Sequence, residues 1–484
     1  MPPSEPLPKA RGSLYEGECL SLLHKVENLA LRLIRFDFSN SADIWAFQLE
    51  LMSVQRLIQQ EITDEKGRVR REKKKPEALQ SLQLVRWHAR RLGDALAWAL
   101  LGADRSIIYP LGENSPVSIS QEDHGSRGLV AASEYLASQG WGFPLLHDVT
   151  DCLRIGDVSF IRFDGSHRKV RTAEAKTRYL GAAPDHSDGS QRYDVSISFL
   201  EAGVAGKEPD LQLNVEVDRS SQSSPEPATR RDDRRIGRQT GRMRNALIRQ
   251  NAMPNTLYEV DGKKSLSAHA ESLAHSQWPK LKKAVKEARK SGYASASIDG
   301  AFMYACYYNP DGIAPETMDK NAMISDVKNS GILSEGPGSR NSLTISSVPL
   351  EPRRDTQQYL PFYLYSIPEE AISDILHGRL MILILANAGA VAAAIEQDGI
   401  EVEIPPGNAP LYSMKFHSRF DSGSGGYRIE LRGMGMHVCE CIYEFRSVEY
   451  LRDVVRGIKR SVELTLPEMI DLNRSNGTGD KPSH

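Results

Sequence analysis

The sequence predicts an α/β multi-domain protein: a helical N-terminal region, an α/β core and a mixed α/β C-terminal region. Three observations carry this. Residues 13–36, 42–63 and 77–102 space apolar side chains helically, as in Ile44, Phe47, Leu51, Val54 and Leu57, and again in Leu82, Val85, Leu92, Leu96 and Leu100. From about 117 the pattern changes to one helix (about 125–139), short strand-like runs and a basic helix. From about 255, strand and helix signals alternate. Ala301–Tyr308, Met381–Leu385 and Val438–Tyr443 read as buried strands, and Pro368–His377 and Glu449–Val462 as helices.

Pro110, Gly112 and Pro116 close the first region. The expected domains are therefore 1–115, 116–254 and 255–472, followed by a disordered tail from Asn473. Of 484 residues, 40% are hydrophobic and 26% charged, which excludes wholesale disorder. The 61 basic residues nearly cancel the 63 acidic ones, so any nucleic-acid surface is local. Five cysteines in a chain of this length make no disulfide framework and suit a reducing compartment. The apolar run Leu380–Ile395 falls short of the ~20 residues that span a bilayer, and Asn387 and Gly389 interrupt it. No signal-peptide pattern opens the chain. A cytoplasmic protein with no membrane partner is expected.

The chemistry concentrates between Gly156 and Thr177. Two β-rich runs flank Asp164-Gly165, a hairpin turn signal. With the turn centred between Gly165 and Ser166, facing residues have numbers summing to 331, which sets Asp157 opposite Glu174 with Cβ atoms ~5 Å apart. Lys176, two residues on, shares their face. Facing carboxylates repel unless a cation lies between them, and oxygen ligands suit Mg²⁺ or Mn²⁺. A neighbouring Lys would hold a scissile phosphate or orient water. The pattern fits phosphodiester hydrolysis. The bland reading is a surface hairpin whose Asp, Glu and Lys form solvated pairs.

Asp157 followed by Glu174-Ala175-Lys176 resembles the PD-(D/E)xK superfamily, the restriction-endonuclease-like nucleases, over about residues 125–250. That family has a helix, a three-strand meander, a second helix and a further strand. Here Ser126–Gln139 matches the first helix, Glu134 the Glu it often carries, Gly140-Trp141 the step into the meander and Trp141–Val149 the first strand. The resemblance implies a restriction-endonuclease-like α/β core with a mixed sheet. It implies that Asp157 and Glu174 bind the metal, joined by the Ala175 carbonyl. Lys176 would be catalytic, and Glu134 an accessory ligand or base. Gly156 stands where the family name has Pro. The function implied is a metal-dependent deoxyribonuclease, by analogy with a role in restriction or anti-phage defence. A catalytically inactive nucleic-acid-binding or scaffolding subunit and an RNA-directed nuclease are the alternatives.

The basic helix, Arg230–Gln250, has an apolar stripe of Ile236, Thr240, Met243 and Leu247, with Arg231, Arg235, Arg238, Arg242 and Arg249 along another side. Those arginines suit DNA phosphates, and a solvated charged face is the competing reading. In the resembled family this helix often brings a Gln or basic residue to the site, which points to Gln239 and Arg242. Lys66–Lys75 reads as a basic loop between helices, and Lys280–Lys290 as a solvated helix face. His437, Cys439 and Cys441 share one face of an expected strand, but a metal site needs a fourth ligand and buried cysteines are the default. No Walker motif is present, so an ATP-driven step would belong to an ATPase or other protein subunit, and cutting both strands would suit a homodimer.

Overall fold

In the computed structural model, the three N-terminal leucine-rich stretches are α1 (Gly17–Ile34), α2 (Ser41–Glu72) and α3 (Glu77–Leu100). The structure describes residues 17–38, 40–72, 77–112, 124–164, 167–182, 191–199, 211–217, 257–260, 263–266, 276–313, 318–330, 332, 343–348, 359–405, 411, 414–421, 426–431 and 434–477. Two compact units divide the chain: Tyr15–Asn251 with Arg353–Leu364, and Met1–Leu14 with Ala252–Pro352 and Tyr365–His484.

In the first unit, α1 buries Leu22, Leu23, Val26, Leu29 and Leu33, and α2 buries Ile44, Phe47, Leu51, Val54 and Ile58, both against α3. Asn40 starts α2 by accepting the Ala42 and Asp43 amides at 3.2 and 3.3 Å. The helix runs to Glu72, so most of the basic segment expected as a loop is helical. Arg68 pairs with Glu65 at 2.8 Å one turn back, a neighbour only helical spacing supplies. A short α4 (Arg105–Leu111), absent from the sequence reading, precedes α5 (His124–Ser138).

After α5 come β1 (Phe143–Leu146), a single 3-10 turn (His147–Val149), β2 (Val158–Asp164), β3 (His167–Ala182), β4 (Gln191–Phe199) and β5 (Leu211–Val217). They form one sheet in the order β1-β2-β3-β4-β5, and every pairing is antiparallel. Among the described residues this corrects the mixed sheet expected from the family resemblance. The physical reason is chain length: residues 183–190 between β3 and β4 are too few for a helical crossover, which takes a dozen or more. The meander thus continues where the family has its second helix. The basic helix of residues 230–250, with Arg235, Arg238, Gln239 and Arg242, lies outside the described residues.

The second unit contains a hairpin, β6 (Leu257–Val260) and β7 (Lys263–Leu266), then α6 (Trp278–Ser291), β8 (Tyr293–Ile298), β9 (Phe302–Tyr308), α7 (Lys320–Asn329), β10 (Leu343–Val348), α8 (Glu369–Leu376), β11 (Leu380–Asn387) and α9 (Ala388–Glu396). Strands β10-β11-β9-β8 make an antiparallel sheet. One face packs Met303, Ala305 and Tyr307 with Val327, Ile332, Met381 and Leu385. A second sheet, β12 (Ile400–Glu403), β13 (Lys415–Asp421) and β14 (Gly426–Leu431), is followed by α10 (Met434–Tyr443) and α11 (Val448–Gly477). The Leu380–Ile395 run is a buried strand and a helix, and no helix among the described residues is long and apolar enough to cross a membrane.

Two expectations in this unit are corrected. Val438–Tyr443 is helical, so His437 and Cys441 share a face and Cys439 leaves it; an apolar run this short reads equally as strand or helix. Helix α11 continues to Gly477, past the expected start of the disordered tail. The Lys280–Lys290 run forms the exposed side of α6, which buries Leu281, Ala284, Val285 and Ala288.

Helix α3 meets the 3-10 turn so closely that a Cβ on Gly93 would fall 1.7 Å from the Val149 carbonyl oxygen. Backbone cannot rotate away as a side chain can. Gly93→Ala should therefore lower the urea midpoint, with a loss of about 3 kcal/mol or more. Gly67→Ala, in α2 with nothing near its Cβ, should raise stability by about 0.5 kcal/mol through helix propensity. Equal effects would show that α3 does not press on the turn.

Candidate active site

The hairpin of β2 and β3 has the register the sequence implies: every facing pair, from Val158↔Ala173 to Asp164↔His167, sums to 331. Asp157 sits one residue before β2. The ladder ends at Val158↔Ala173, so the expected pair Asp157↔Glu174 is not part of it: the Asp157 amide donates to the Ala173 carbonyl at 2.9 Å, one residue out of register, and its Oδ2 accepts the Ala175 amide at 2.8 Å. Its carboxylate therefore lies against the strand segment that carries Glu174 and Lys176. Backbone N–H and C=O of one strand residue point to the same edge, so the Ala175 carbonyl shares the edge that Asp157 occupies.

The sheet separates its faces by chemistry. On one face Val158, Phe160, Ala173, Tyr193, Val195 and Ile197 are buried. Helix α5 covers this face: Thr177 Oγ1 donates to the Gly125 carbonyl at 3.2 Å, and a Cβ on Gly128 would fall 2.2 Å from Thr177 Cγ2. Trp141 stacks on Phe199 with ring centroids 4.5 Å apart, and the Arg171 guanidinium lies over the Trp141 ring, 5.4 Å from its centroid. Alternation puts Ser159, Thr172, Glu174, Lys176 and Arg178 on the opposite face. Along β3 that face grades from buried Thr172 through half-buried Glu174 to exposed Lys176 and Arg178. Glu174 and Lys176 thus share the side of the sheet that emerges into solvent, and the Asp157 carboxylate is bonded to the backbone of the residue between them.

It does not bring Glu134 to them. Glu134 is exposed on α5, the helix of the other face, and its Oε1 accepts Trp45 Nε1 from α2 at 2.8 Å.

A buried relay that the sequence reading missed lies beside the carboxylates. The His147 ring contacts the Gly156 carbonyl through Nδ1 at 3.1 Å and Ser159 Oγ through Nε2 at 2.8 Å, and Ser159 Oγ meets Thr172 Oγ1 at 2.9 Å. Burial pushes the imidazole pKa down to about 4, with the Gly156 and Ile155 carbonyls opposing. The ring is neutral, so Nδ1–H donates to Gly156, Nε2 accepts from Ser159, and Ser159 accepts from Thr172. Ser159 and Thr172 stand two residues from Asp157 and Glu174, and the relay ties the bases of both. Gly156 has φ +75°, and a Cβ there would lie 2.7 Å from Thr172 Cγ2 and 2.9 Å from the Ala173 carbonyl oxygen. Proline, with φ near −65°, would not fit where the family name places it.

The segment from the 3-10 turn to Gly156 is held by charges on α3. Arg90, almost fully buried, donates to the Asp148 and Thr150 carbonyls, to Asp151 Oδ1 at 2.9 Å and to Gln55 Oε1 at 3.3 Å. Asp94 Oδ1 accepts the Asp151 and Cys152 amides at 2.5 and 2.7 Å. Burial alone would raise the Asp151 carboxyl, but the Arg90 and Arg154 guanidiniums overcome it and hold it below the ordinary value. Arg90, Arg91 and Asp94 are all buried and serve the fold.

No family model matches the chain, and neither a curated protein nor a solved structure matches it. The functional reading rests on the hairpin itself.

The imidazole generates a test. In the unfolded chain His147 binds a proton as pH falls through ~6.5, while the folded ring stays neutral until about 4. Folding stability should drop progressively across that window and level off below it, by on the order of 3 kcal/mol in all. His147→Gln keeps a donor and an acceptor without titrating. The difference between wild-type and variant unfolding free energies should slope with pH between 6.5 and 4; parallel curves would place His147 in contact with water.

Proposed function

We propose that this chain is a metal-dependent nuclease of the PD-(D/E)xK type that hydrolyses DNA phosphodiester bonds, with Mg²⁺ or Mn²⁺ as its ion. The observation that carries the reading is the bond from the Ala175 amide to Asp157 Oδ2. It fastens one carboxylate beside the strand position flanked by the second carboxylate and the lysine. The donor set fits a hard divalent cation: Asp157 and Glu174 supply carboxylate oxygens and Ala175 a carbonyl oxygen. A bound ion would supply Lewis-acid chemistry, lowering the pKa of a water and offsetting charge on phosphoryl oxygens.

The chain's own residues do the rest. Asp157 is held by its backbone bonds, so its orientation costs little entropy on binding. Lys176 presents an ammonium from the exposed part of the same face, where it would grip a non-bridging phosphate oxygen or orient the attacking water. Water forms the new P–O bond, the bond to the leaving oxygen breaks, and that oxygen takes up a proton. Glu134 is left to hold α5 against α2. DNA cleavage of this kind fits a role in restriction or anti-phage defence, beside an ATPase or other subunit or as a homodimer.

One observation favours the second reading, a non-cleaving nucleic-acid-binding subunit of the same hairpin. The meander runs on into β4 and β5 where the family's second helix and further strand belong.

Purified protein incubated with plasmid DNA, and separately with RNA, in Mg²⁺, Mn²⁺ or EDTA separates the readings. DNA cleavage that needs metal should fall about 10²–10³-fold in Lys176→Ala, whose exposed side chain leaves the melting temperature unchanged. Asp157→Asn retains an oxygen for the Ala175 amide and should lose cleavage while staying folded. DNA binding without cleavage in either metal would establish the non-cleaving reading, and destruction of RNA alone the ribonuclease reading.

A further inference from the structure

Strand β3 is 16 residues long and β2 only 7, so β3 continues past the end of its hairpin partner. Its pairing with β4 stays in register from Ala173↔Phe199 to Tyr179↔Tyr193 and shifts only between Tyr179 and Gly181. Glu174, Lys176 and Arg178 therefore point to one face in an unbroken row. Arg178 is exposed, and among the described residues it forms no ion pair. Asp194 faces it across the ladder, half-buried, without a salt bridge to it. Ser196 faces Lys176 in the same way. Leu180, just past Arg178, is 52% exposed.

Charge and spacing together suggest what the row holds. With Asp157 and Glu174 committed to a divalent ion, the described side chains of the face that keep a charge are two cations, Lys176 and Arg178, and one carboxylate, Asp194. The two cationic residues stand about 7 Å apart at ~3.4 Å per residue. Neighbouring phosphates of one nucleic-acid strand rise ~3.4 Å along the helix axis and lie further apart along the backbone, so two side chains on this pitch meet two consecutive phosphates. A guanidinium matches phosphate bidentately, where an ammonium acts as a point charge.

We propose that Arg178 is a second phosphate-binding residue, holding the phosphate adjacent to the one Lys176 engages, so that a single DNA strand runs along β3 from Glu174 toward Leu180. This rests on the nuclease reading above and adds to it the track of the substrate. Arg178 positions the strand and takes no part in bond breaking.

The experiment measures binding of a fluorescent single-stranded oligonucleotide to the full chain in EDTA, across a salt series. Arg178→Ala should weaken binding about 5- to 10-fold and reduce the slope of log K against log[salt] by ~0.7, one single-strand phosphate contact. Arg178→Lys should recover part of the affinity. Lys283→Ala, an exposed cation on α6, serves as the control and should leave binding unchanged. Oligonucleotides with one neutral methylphosphonate, moved one position at a time about the cleaved bond, locate the contact. One adjacent position should weaken wild type and leave Arg178→Ala unaffected.

Three results overturn the proposal. If wild type binds and cleaves DNA but Arg178→Ala keeps the same affinity and salt slope, the track is wrong and the nuclease reading stands. If wild type neither binds nor cleaves, both fall. Losses that add at every methylphosphonate position place Arg178 away from the phosphates.

Discussion

The geometry of the hairpin depends on a guanidinium inside the protein. Arg90 projects from α3 and takes the Asp148 and Thr150 carbonyls, Asp151 and Gln55 at once, while Asp94 one turn later accepts two amides of the same segment. An irregular stretch between a strand and a hairpin has no ladder to satisfy its backbone groups, and burying those groups unpaired would cost on the order of 1–3 kcal/mol each. The charges of α3 supply the missing partners. Gln48 of α2 does the same for β1, donating to the Pro144 carbonyl at 2.9 Å and accepting the Leu146 amide at 3.0 Å. The helical region is thus the frame that sets where the chain enters β2, and with it where Asp157 stands.

Buried pairs of this kind are weak evidence for stability, because desolvation offsets much of the Coulomb attraction. Their effect is on specificity. A segment held by one arginine at four acceptors has one arrangement, and a shift by one residue would leave several charged or polar groups unpaired in a dry interior. The closeness of Gly93 to Val149 makes the same demand sterically. Gly156, with its left-handed backbone, then turns the chain so that the Asp157 carboxylate meets the Ala175 amide. The relay through His147 connects the two strands just inside that point.

The hairpin was legible because its information is local. A turn signal at Asp164-Gly165 and a side-chain period of two determine which residues face each other, with no knowledge of the rest of the chain. The three N-terminal helices were legible for a similar reason, since Leu and Val recur at 3.6-residue spacing. What escaped the sequence depends on distant partners. Nothing local tells that Arg90 bonds carbonyls some sixty residues away rather than phosphates, or that His147 is sealed against Ser159. Residues 434–443 show another limit: a ten-residue, largely apolar segment with glycines at its start satisfies strand and helix patterns alike, and packing decides. The antiparallel course of β4 was in principle readable from the short link of residues 183–190. The family pattern instead places a helix after the third strand.

The two faces of the sheet explain why the carboxylates can be both fixed and accessible. The apolar face is closed by α5, and its packing sets the plane of the strands. The polar face borrows that rigidity, since each side chain on it is anchored to a backbone already immobilised from the other side. Asp157 adds a bond of its own to the Ala175 amide. That bond delocalises part of its charge into the backbone and eases the repulsion from Glu174 that would otherwise push the strands apart. A carboxylate has about four lone-pair sites, so an amide at one of them leaves capacity for a cation. On the proposed nuclease reading, the same feature that stabilises the hairpin alone also prepares it for an ion, and the overhang of β3 beyond β2 supplies the strip of surface for a charged polymer.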